Sequence, residues 1–452
     1  MILDRGPGKP RRHVVLLRVD ARRGRRWATT GSLGRRTQHS SASAIGRRFA
    51  EQIDHDAHAL VTTDGGRPAA RAVVDLARDR QDPWPRGSRG GAMILAITPN
   101  PALDVTYTVD DTRLHEVNRV REVRTEAGGK GVNVAKVLAQ LGEPVTCAGP
   151  LGGPAGDELH RRLATTAGRP GTSDAAGTTP ADTDSAHAPA QAADPLLRQG
   201  WTWIDGTTRR TLAVLDAGGA TGLYEPGPQL SAAEVQQLLA DVGALLTGAI
   251  PPIEAVTISG SLPGGMSGED LATLIAAIRE VGRPVLVDTS GPGLLTAARA
   301  GATVLKPNAE EAMEATGEST ALDAARALCE LGAGTVVCSL GGEGMLGLQR
   351  AEAGAPAGSA PADTASVDRT AATTVRAWRA RLPQALDGNP TGAGDSVVAA
   401  LASTVLLGRT DLPTALRRAV AVGASAVTRP VAGEIDLELI DQLEPTVTIE
   451  EI

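Results

Sequence analysis

From Met93 onward, short uninterrupted apolar runs alternate with longer segments of helical spacing, and this alternation constrains the fold more than any other feature. Met93-Ile-Leu-Ala-Ile-Thr98 ends in Pro99-Asn100-Pro101. It is too short for a helix, and it lacks the polar alternation of a strand with one wet face. It therefore reads as a strand buried on both sides. After Gly131, the residues Val132, Ala135, Val137, Leu138 and Leu141 recur at helical spacing, and Gly142 marks the stop. Val145 to Ala148 is the next strand. Beyond residue 229 the spacing predicts strands at 255–259, 285–288, 303–305 and 335–339. It predicts helices at 232–246, 268–281, 321–331 and 395–407. Such an order implies an α/β fold with a parallel sheet covered by helices on both faces. Aromatic residues are only 2% of the chain, with Phe49 the single Phe, so Val, Leu, Ile and Ala must build the core.

Residues 1–92 have a different texture. They hold 19 Lys and Arg against 9 Asp and Glu, a net of +10, whereas residues 93–452 hold 26 against 43, a net of −17. Arg pairs recur, four of the seven His fall here, and little is periodic enough to build a core. Three readings remain open: a nucleic-acid or anionic-surface arm, a disordered basic tail, and upstream sequence ahead of a true start at Met93. One of the last two is the expectation, and nucleic acid is not an expected partner. Two further stretches, 165–193 and 351–374, are rich in Ala, Thr, Gly, Asp and Pro and read as low-complexity insertions. No stretch approaches the ~18–20 apolar residues of a membrane helix. The three cysteines, Cys147, Cys329 and Cys338, form no CxxC pattern, which fits a reducing, cytoplasmic compartment.

Three motifs carry chemistry. In Asn389-Pro-Thr-Gly392-Ala393-Gly394-Asp395, small residues let successive backbone N–H groups point at one anion, and the following helix adds its positive end. A carboxylate beside such a nest can take a proton from an attacking hydroxyl; it can equally be a dipole-matched surface residue. In Glu126-Ala-Gly128-Gly129-Lys130-Gly-Val-Asn133, a glycine-rich turn feeds a helix, and Lys130 and Asn133 can reach a polar ligand. The turn can equally serve strand–helix packing alone. Lysine is scarce, four residues against 41 Arg, which gives Lys130 weight. The GxxxxGK[ST] phosphate loop is absent. In Lys306-Pro-Asn308-Ala-Glu310-Glu311, an amide and a carboxylate share a face if a helix begins there. That pair suits a hydrated Mg²⁺ or an ordinary helix cap. Ser339-Leu-Gly341-Gly-Glu-Gly344 and Ser259-Gly-Ser-Leu-Pro are further small-residue turns at strand ends, where ligands of open α/β sheets collect.

Taken in order, these strings resemble the PfkB/ribokinase family of carbohydrate kinases. Asn100-Pro-Ala-Leu-Asp104, His115-Glu-Val-Asn-Arg-Val120 and Gly128-Gly-Lys-Gly are similar to the 1-phosphofructokinase and tagatose-6-phosphate kinase branch. The resemblance spans 93–452 apart from the two insertions. It implies a ribokinase-like three-layer sandwich with a small β-sheet lid, drawn here from about 103–124 and 201–224. It implies ATP-dependent phosphorylation of fructose 1-phosphate, with tagatose-6-phosphate kinase or 6-phosphofructokinase activity as alternatives. Asp395 would be the base, with Gly392, Ala393 and Gly394 forming the anion hole. Asp104, Gly128, Gly129 and Asn133 would hold the sugar, and Lys130, Arg119 and Arg209 its existing phosphate. Asn308 and Glu311 would organise Mg²⁺ through water. Ser339, Gly341 and Gly344 would line the nucleotide groove, with Gly423 near the adenine. Where Thr211 stands the family commonly has Asn. Homodimers paired through the lid are implied. A catalytically silent sugar-phosphate sensor is the rival from another class.

Overall fold

The computed structural model describes residues 14–19, 26–30, 59–62, 92–166, 196–351 and 374–452. The chain divides into two units, Met1–Pro83 and Trp84–Ile452. In the first, strands β1 (Val14–Val19), β2 (Arg26–Thr30) and β3 (Ala59–Thr62) form an antiparallel sheet in the order β2-β1-β3. The sequence reading did not anticipate these strands. The rest of the expected extension, and nearly all of 165–193 and 351–374, lie outside the described residues.

The second unit is built on a ten-stranded sheet. Along the chain its strands are β4 (Met93–Ile97), β7 (Val145–Leu151), β8 (Leu197–Trp203), β11 (Ile253–Ser259), β12 (Val285–Asp288) and β13 (Val304–Leu305). These are followed by β14 (Thr335–Ser339), β15 (Met345–Arg350), β16 (Val375–Arg381) and β17 (Thr448–Glu451). The order is β17-β16-β15-β14-β13-β12-β11-β4-β7-β8, parallel from β8 to β14 and antiparallel beyond. The chain leaves β4 toward β7 and β8, then returns to β11 on the other side. The strand order thus reverses at β4, the place where open α/β sheets gather ligands.

Period-2 geometry divides the core. Ile94 and Ala96 face one layer, and Met93, Leu95 and Ile97 the other. On the first face lie α1 (Lys130–Gln140), α2 (Gly153–Thr166), α8 (Ala393–Leu401), α9 (Leu412–Val427) and α10 (Leu437–Leu443). On the second lie α3 (Ala232–Gly248), α4 (Gly268–Glu280), α5 (Pro292–Arg299), α6 (Ala309–Thr316) and α7 (Ala321–Leu331). Ser231 with Glu234, and Ser267 with Asp270, close reciprocal capping boxes that fix where α3 and α4 begin.

A separate four-stranded sheet forms the lid. It consists of β5 (Ala102–Thr108), β6 (Glu122–Gly128), β9 (Arg209–Asp216) and β10 (Gly219–Tyr224), in the order β10-β9-β5-β6. The expected lid segment from 201 to 224 needs correcting at its start. Trp201 to Trp203 belong to β8, parallel to β7 in the main sheet, because Thr202 is buried there and Trp201 packs against the core. Helix α8 begins at Ala393, two residues earlier than its spacing suggests, and passes after Leu401 into a π-helical turn over Ala402–Leu406. The division into two units predicts that a chain reduced to 93–452 keeps its cooperative melting transition and its turnover. Calorimetry and steady-state kinetics on the truncated protein check this; loss of either would place the extension within the fold.

Candidate active site

The starts of α1 and α8 meet beyond the carboxyl end of β4. Gly392, in the left-handed region (φ 85°), is the N-cap of α8, and no side chain caps that end. A Cβ on Gly392 would lie 2.8 Å from the Cβ of Ala432, so only glycine fits the turn. The first turn of α8 carries no side-chain cap, so the N–H groups of Gly392 and Gly394 can face an anion, while that of Ala393 donates to the Pro390 carbonyl at 3.2 Å.

Asp395 sits in that first turn, 6% exposed, and its Oδ2 accepts a 2.8 Å hydrogen bond from Asn133 Nδ2 on α1. Its pKa is pushed up to about 7, first by burial and then by the Asp288 carboxylate; Asn133, Lys130 and Lys306 pull the other way. A carboxylate poised there can exchange a proton near neutral pH.

The glycine-rich turn closes around Asp104 from the lid. A Cβ on Gly128 would stand 1.9 Å from Asp104 Oδ2, and one on Gly131 2.3 Å from Thr98 Oγ1. Gly129, at φ 100°, is the N-cap of α1 and joins the lid strand β6 directly to it. Thr211 Oγ1 donates to Asp104 Oδ1. Burial raises the Asp104 pKa against the opposing pull of that hydrogen bond, Lys136 and Arg209. Arg209, at the start of β9, donates to the Glu225 carbonyl, and burial lowers its pKa against the field of Asp104. Arg119 lies exposed in the segment between β5 and β6.

Lys130 Nζ stands 3.5 Å from Asp288 Oδ2. Burial works to lower the lysine's pKa and is outweighed by Asp288, Asp395 and Glu311, which raise it. Lys306 Nζ stands 3.6 Å from Asp288 Oδ1. Asp288 was missed in the sequence because it ends an apolar strand run; a charge closing such a run is the signal that would have found it.

Asn308 and Glu311 form a reciprocal capping box on α6. Glu311 N donates to Asn308 Oδ1 at 2.8 Å, and Asn308 N to Glu311 Oε2 at 2.9 Å. Among the described residues no cluster of three or more His, Cys, Asp or Glu could hold a metal. The amide of Asn308 and the carboxylate of Glu311 are oxygen donors of the kind that fit a hydrated cation. Ser339 ends β14 and bridges to Asn308, while Gly341 (φ 61°) and Gly344 (φ 91°) flank the 3-10 turn that follows. Gly423 faces the start of α8, where a Cβ would lie 3.7 Å from the Ala393 carbonyl oxygen. It is buried on α9, where a Cβ would lie 2.9 Å from Val397 Cγ2 of α8, so it sets the closeness of the two helices.

Lys136 was also missed. It is buried on α1 and donates to the Ala127 carbonyl at the end of β6. Burial lowers its pKa.

Residues 99–167 and 202–438 match the family model described as pfkB family carbohydrate kinase. This chain belongs to the pfkB family. It is a sugar kinase, a phosphotransferase, and the match takes in Asp104, the glycine-rich turn and Asp395. The break between the two matched parts contains most of the low-complexity stretch 165–193. Among solved structures, the fold is similar to phosphofructokinase-2 from Escherichia coli in complex with fructose-6-phosphate, at 24% identity and TM-score 0.59, covering 79% of this chain and 99% of that one. It is similar to a possible 1-phosphofructokinase from Thermotoga maritima, at 20% identity and TM-score 0.57, covering 80% and 99%. It is also similar to Arabidopsis thaliana ribokinase complexed with ribose and ATP, at 18% identity and TM-score 0.51, covering 79% and 99%.

The tight fit of Gly128 against Asp104 predicts that Gly128→Ala displaces the carboxylate. Its affinity for sugar phosphate is expected to fall at least ~10-fold, equivalent to ~1.4 kcal/mol, with the melting transition still cooperative. Calorimetric titration checks this; unchanged affinity would remove Asp104 from the sugar site.

Proposed function

We propose that this protein is an ATP-dependent 1-phosphofructokinase that converts fructose 1-phosphate to fructose 1,6-bisphosphate. The observation that carries the chemistry is the buried Asp395, with its raised pKa, at the uncapped start of α8. The choice of sugar rests on the NPxLD string, the His115 to Val120 segment and the Gly128-Gly-Lys-Gly turn.

In this reading the free hydroxyl of the sugar phosphate approaches Asp395. Its proton passes to the carboxylate as its oxygen bonds to the γ-phosphorus of ATP. The bond from that phosphorus to the bridging oxygen breaks, and the electron pair leaves with ADP. Negative charge on the moving group meets the N–H groups of Gly392, Ala393 and Gly394. Asp104, Asn133, Gly128 and Gly129 hold the sugar. Lys130, with Arg209 and Arg119, holds the phosphate it already carries; Arg119 reaches it only if its exposed loop folds inward. Ser339, Gly341 and Gly344 border the nucleotide, and Gly423 acts on it through the packing of α9 against α8. Mg²⁺, held by phosphate and by water bridging to Asn308 and Glu311, would neutralise phosphate charge. Positioning and electrostatics supply most of such catalysis.

We place the reaction in the cytoplasm, with no role for nucleic acid or membrane; among the described residues no helix is long and apolar enough to cross a bilayer. A homodimer through the lid is supported by exposed apolar side chains there, Val123, Leu223 and Tyr224.

Steady-state kinetics with fructose 1-phosphate, fructose 6-phosphate and tagatose 6-phosphate test the substrate. The highest kcat/KM is expected for the first, and a clear preference for either other sugar replaces this reading with that activity. Asp395→Asn is expected to lower kcat ~10²–10⁴-fold while sugar-phosphate binding is retained. Binding without any ATP-dependent turnover in the wild type would support a sensor instead. Since the base must be ionised, kcat/KM is expected to fall about tenfold per pH unit below about 7. A pH-independent rate between 5 and 8 would exclude Asp395 as the base. The same shift has a stability sign. The protonated carboxyl is favoured by burial, so its stabilising contribution is complete below its ordinary value of 3.8 and lost as pH rises through about 7. At pH 8 Asp395→Asn is therefore expected to melt above the wild type, as calorimetry can check.

A further inference from the structure

The mechanism above leaves a buried cation of α1 without a task. Lys136, 7% exposed, donates to the Ala127 carbonyl at the end of lid strand β6. Among the described residues this is the only bond its ammonium makes. An ammonium carries three donors and is costly to bury. A neutral donor would satisfy one carbonyl with less desolvation, so the carbonyl alone does not account for a charge there. The stem of the lysine is held in place. Gly433, at φ 82°, lies so close that a Cβ on it would stand 2.9 Å from Lys136 Cδ. One turn along α1, Gln140 fastens the same segment: its Nε2 donates to the Gly433 carbonyl at 2.7 Å, and its Oε1 accepts from Ile435 N at 3.1 Å.

The ammonium meets an edge of the lid. Strand β6 has a sheet partner on one side only, β5. Carbonyls two residues apart on a strand point the same way. Arg162 of α2 donates to the Thr125 carbonyl at 2.7 Å, as Lys136 does to that of Ala127. Two cations from two body helices thus take alternate carbonyls where β6 runs into Gly128 and Gly129. The charges around Lys136 show what else it does. Burial pushes its pKa down, and Glu126 on β6, Asp104 on β5, Glu434 beside Gly433 and Cys147 on β7 pull it back. Glu126 stands directly opposite Asp104 in the β5–β6 register. Like charges so placed repel each other. Burial raises the Asp104 pKa; of the cations opposing this, Lys136 pulls harder than Arg209 on β9, while Glu126 adds to the rise. An ionised carboxylate accepts hydrogen bonds from sugar hydroxyls through both oxygens, and such bonds are the stronger for its charge.

We infer that Lys136 is a positioning residue for sugar-phosphate binding: it fixes the end of β6 against α1 and sets a positive charge beside the opposed carboxylates of Asp104 and Glu126, so that Asp104 faces the sugar as an acceptor. This rests on the kinase reading above and extends it. Lys136 acts through Asp104 and the glycine-rich turn and does not touch the substrate. Lysine suits the place as a compact point charge that serves one carbonyl and the nearby field together.

The test is a double-mutant cycle on the full-length protein: wild type, Lys136→Met, Asp104→Asn and the double variant. Calorimetric titration reads the Kd of fructose 1-phosphate, and of ADP with MgCl₂, at pH 8 and pH 6, each as a ratio to the wild type at the same pH. Met keeps the bulk of the stem beside Gly433. Lys136→Met is expected to bind the sugar phosphate about tenfold more weakly at pH 8, with ADP unchanged. The loss is expected to grow at pH 6, because Asp104 without the lysine takes up a proton more readily. In the Asp104→Asn background the same substitution is expected to cost less than about twofold. Glu126→Gln, a half-buried exchange that spares the core, is expected to move the other way and tighten sugar-phosphate binding at pH 6. It keeps the inference open to refutation if Lys136→Met does not fold: weaker or unchanged binding in Glu126→Gln would overturn it. Equal weakening of sugar phosphate and ADP in Lys136→Met would mark the lysine as structural and also overturn it. So would a loss that is the same at both pH values, or undiminished in the Asp104→Asn background. A wild type that prefers fructose 6-phosphate or tagatose 6-phosphate would defeat the substrate reading, while a selective loss read on that sugar would still support the lysine's role.

Discussion

The 2.8 Å hydrogen bond from Asn133 to Asp395 joins residues 262 positions apart and ties the start of α1 to the start of α8. For these helices to meet, their backbones must approach more closely than ordinary side chains allow. The glycines at their contacts make this possible. Gly131 lies against the Ile97 carbonyl, Gly392 against Ala432, and Gly423 against Val397. A methyl group at any of these would push one helix away from the sheet or from its neighbour, and the Asn133–Asp395 pair would open. The burial of Asp395, and hence its raised pKa, follows from the same closeness. Packing on the hydrophobic face of α8, where Val397 to Leu401 are buried, therefore sets the chemistry at its start.

Electrostatics adds a second constraint. Residues 93–452 carry a net charge of −17, yet the site must attract phosphate. Three of the four lysines lie at or beside it: Lys130 and Lys306 flank Asp288, and Lys136 holds the end of β6 through the Ala127 carbonyl. Many arginines lie in exposed ion pairs screened by water, such as Arg376 with Glu451 and Arg161 with Glu158. Positive charge is thus concentrated where burial strengthens it and diluted where water screens it.

Most of the parallel sheet could be read from the sequence because its strands are short apolar runs buried on both faces; β12 and β14 match their expected limits at both ends. The antiparallel edge was not, since β15 is interrupted by Gly347 and β17 is a short polar strand. The lid was legible only through the family resemblance. Its central pairing, β5 with β9, joins segments about a hundred residues apart in a parallel register that no local pattern announces. Within the site, motifs exposed the residues on loops, where a glycine or an isolated lysine stands out. Asp288, Lys136 and the hydroxyl of Thr211 stayed hidden because each looks locally like an ordinary strand end, helix residue or strand residue. Of the two readings of the Asn308–Glu311 motif, the structure displays the helix cap, which holds both side chains in place, and Glu311 adds its field to Lys130.

The residues proposed to hold the sugar are divided between lid and body, which has a mechanical consequence. Asp104 is on lid strand β5, and Asn133 is on core helix α1. Only Gly129 separates the last lid residue, Gly128, from Lys130. Motion of the lid therefore acts directly on the N-terminal turn of α1, with no intervening loop to absorb it. Thr211, on β9, bonds Asp104 within the lid, while Lys136 anchors Ala127 from the body. A ligand that contacts Asp104 and Asn133 together fixes the orientation of β6 relative to α1. Through the Asn133–Asp395 bond it also constrains Asp395, the proposed base. Lid strand β6 and the proposed proton acceptor Asp395 are thus coupled through α1, because only Gly129 lies between the lid and that helix.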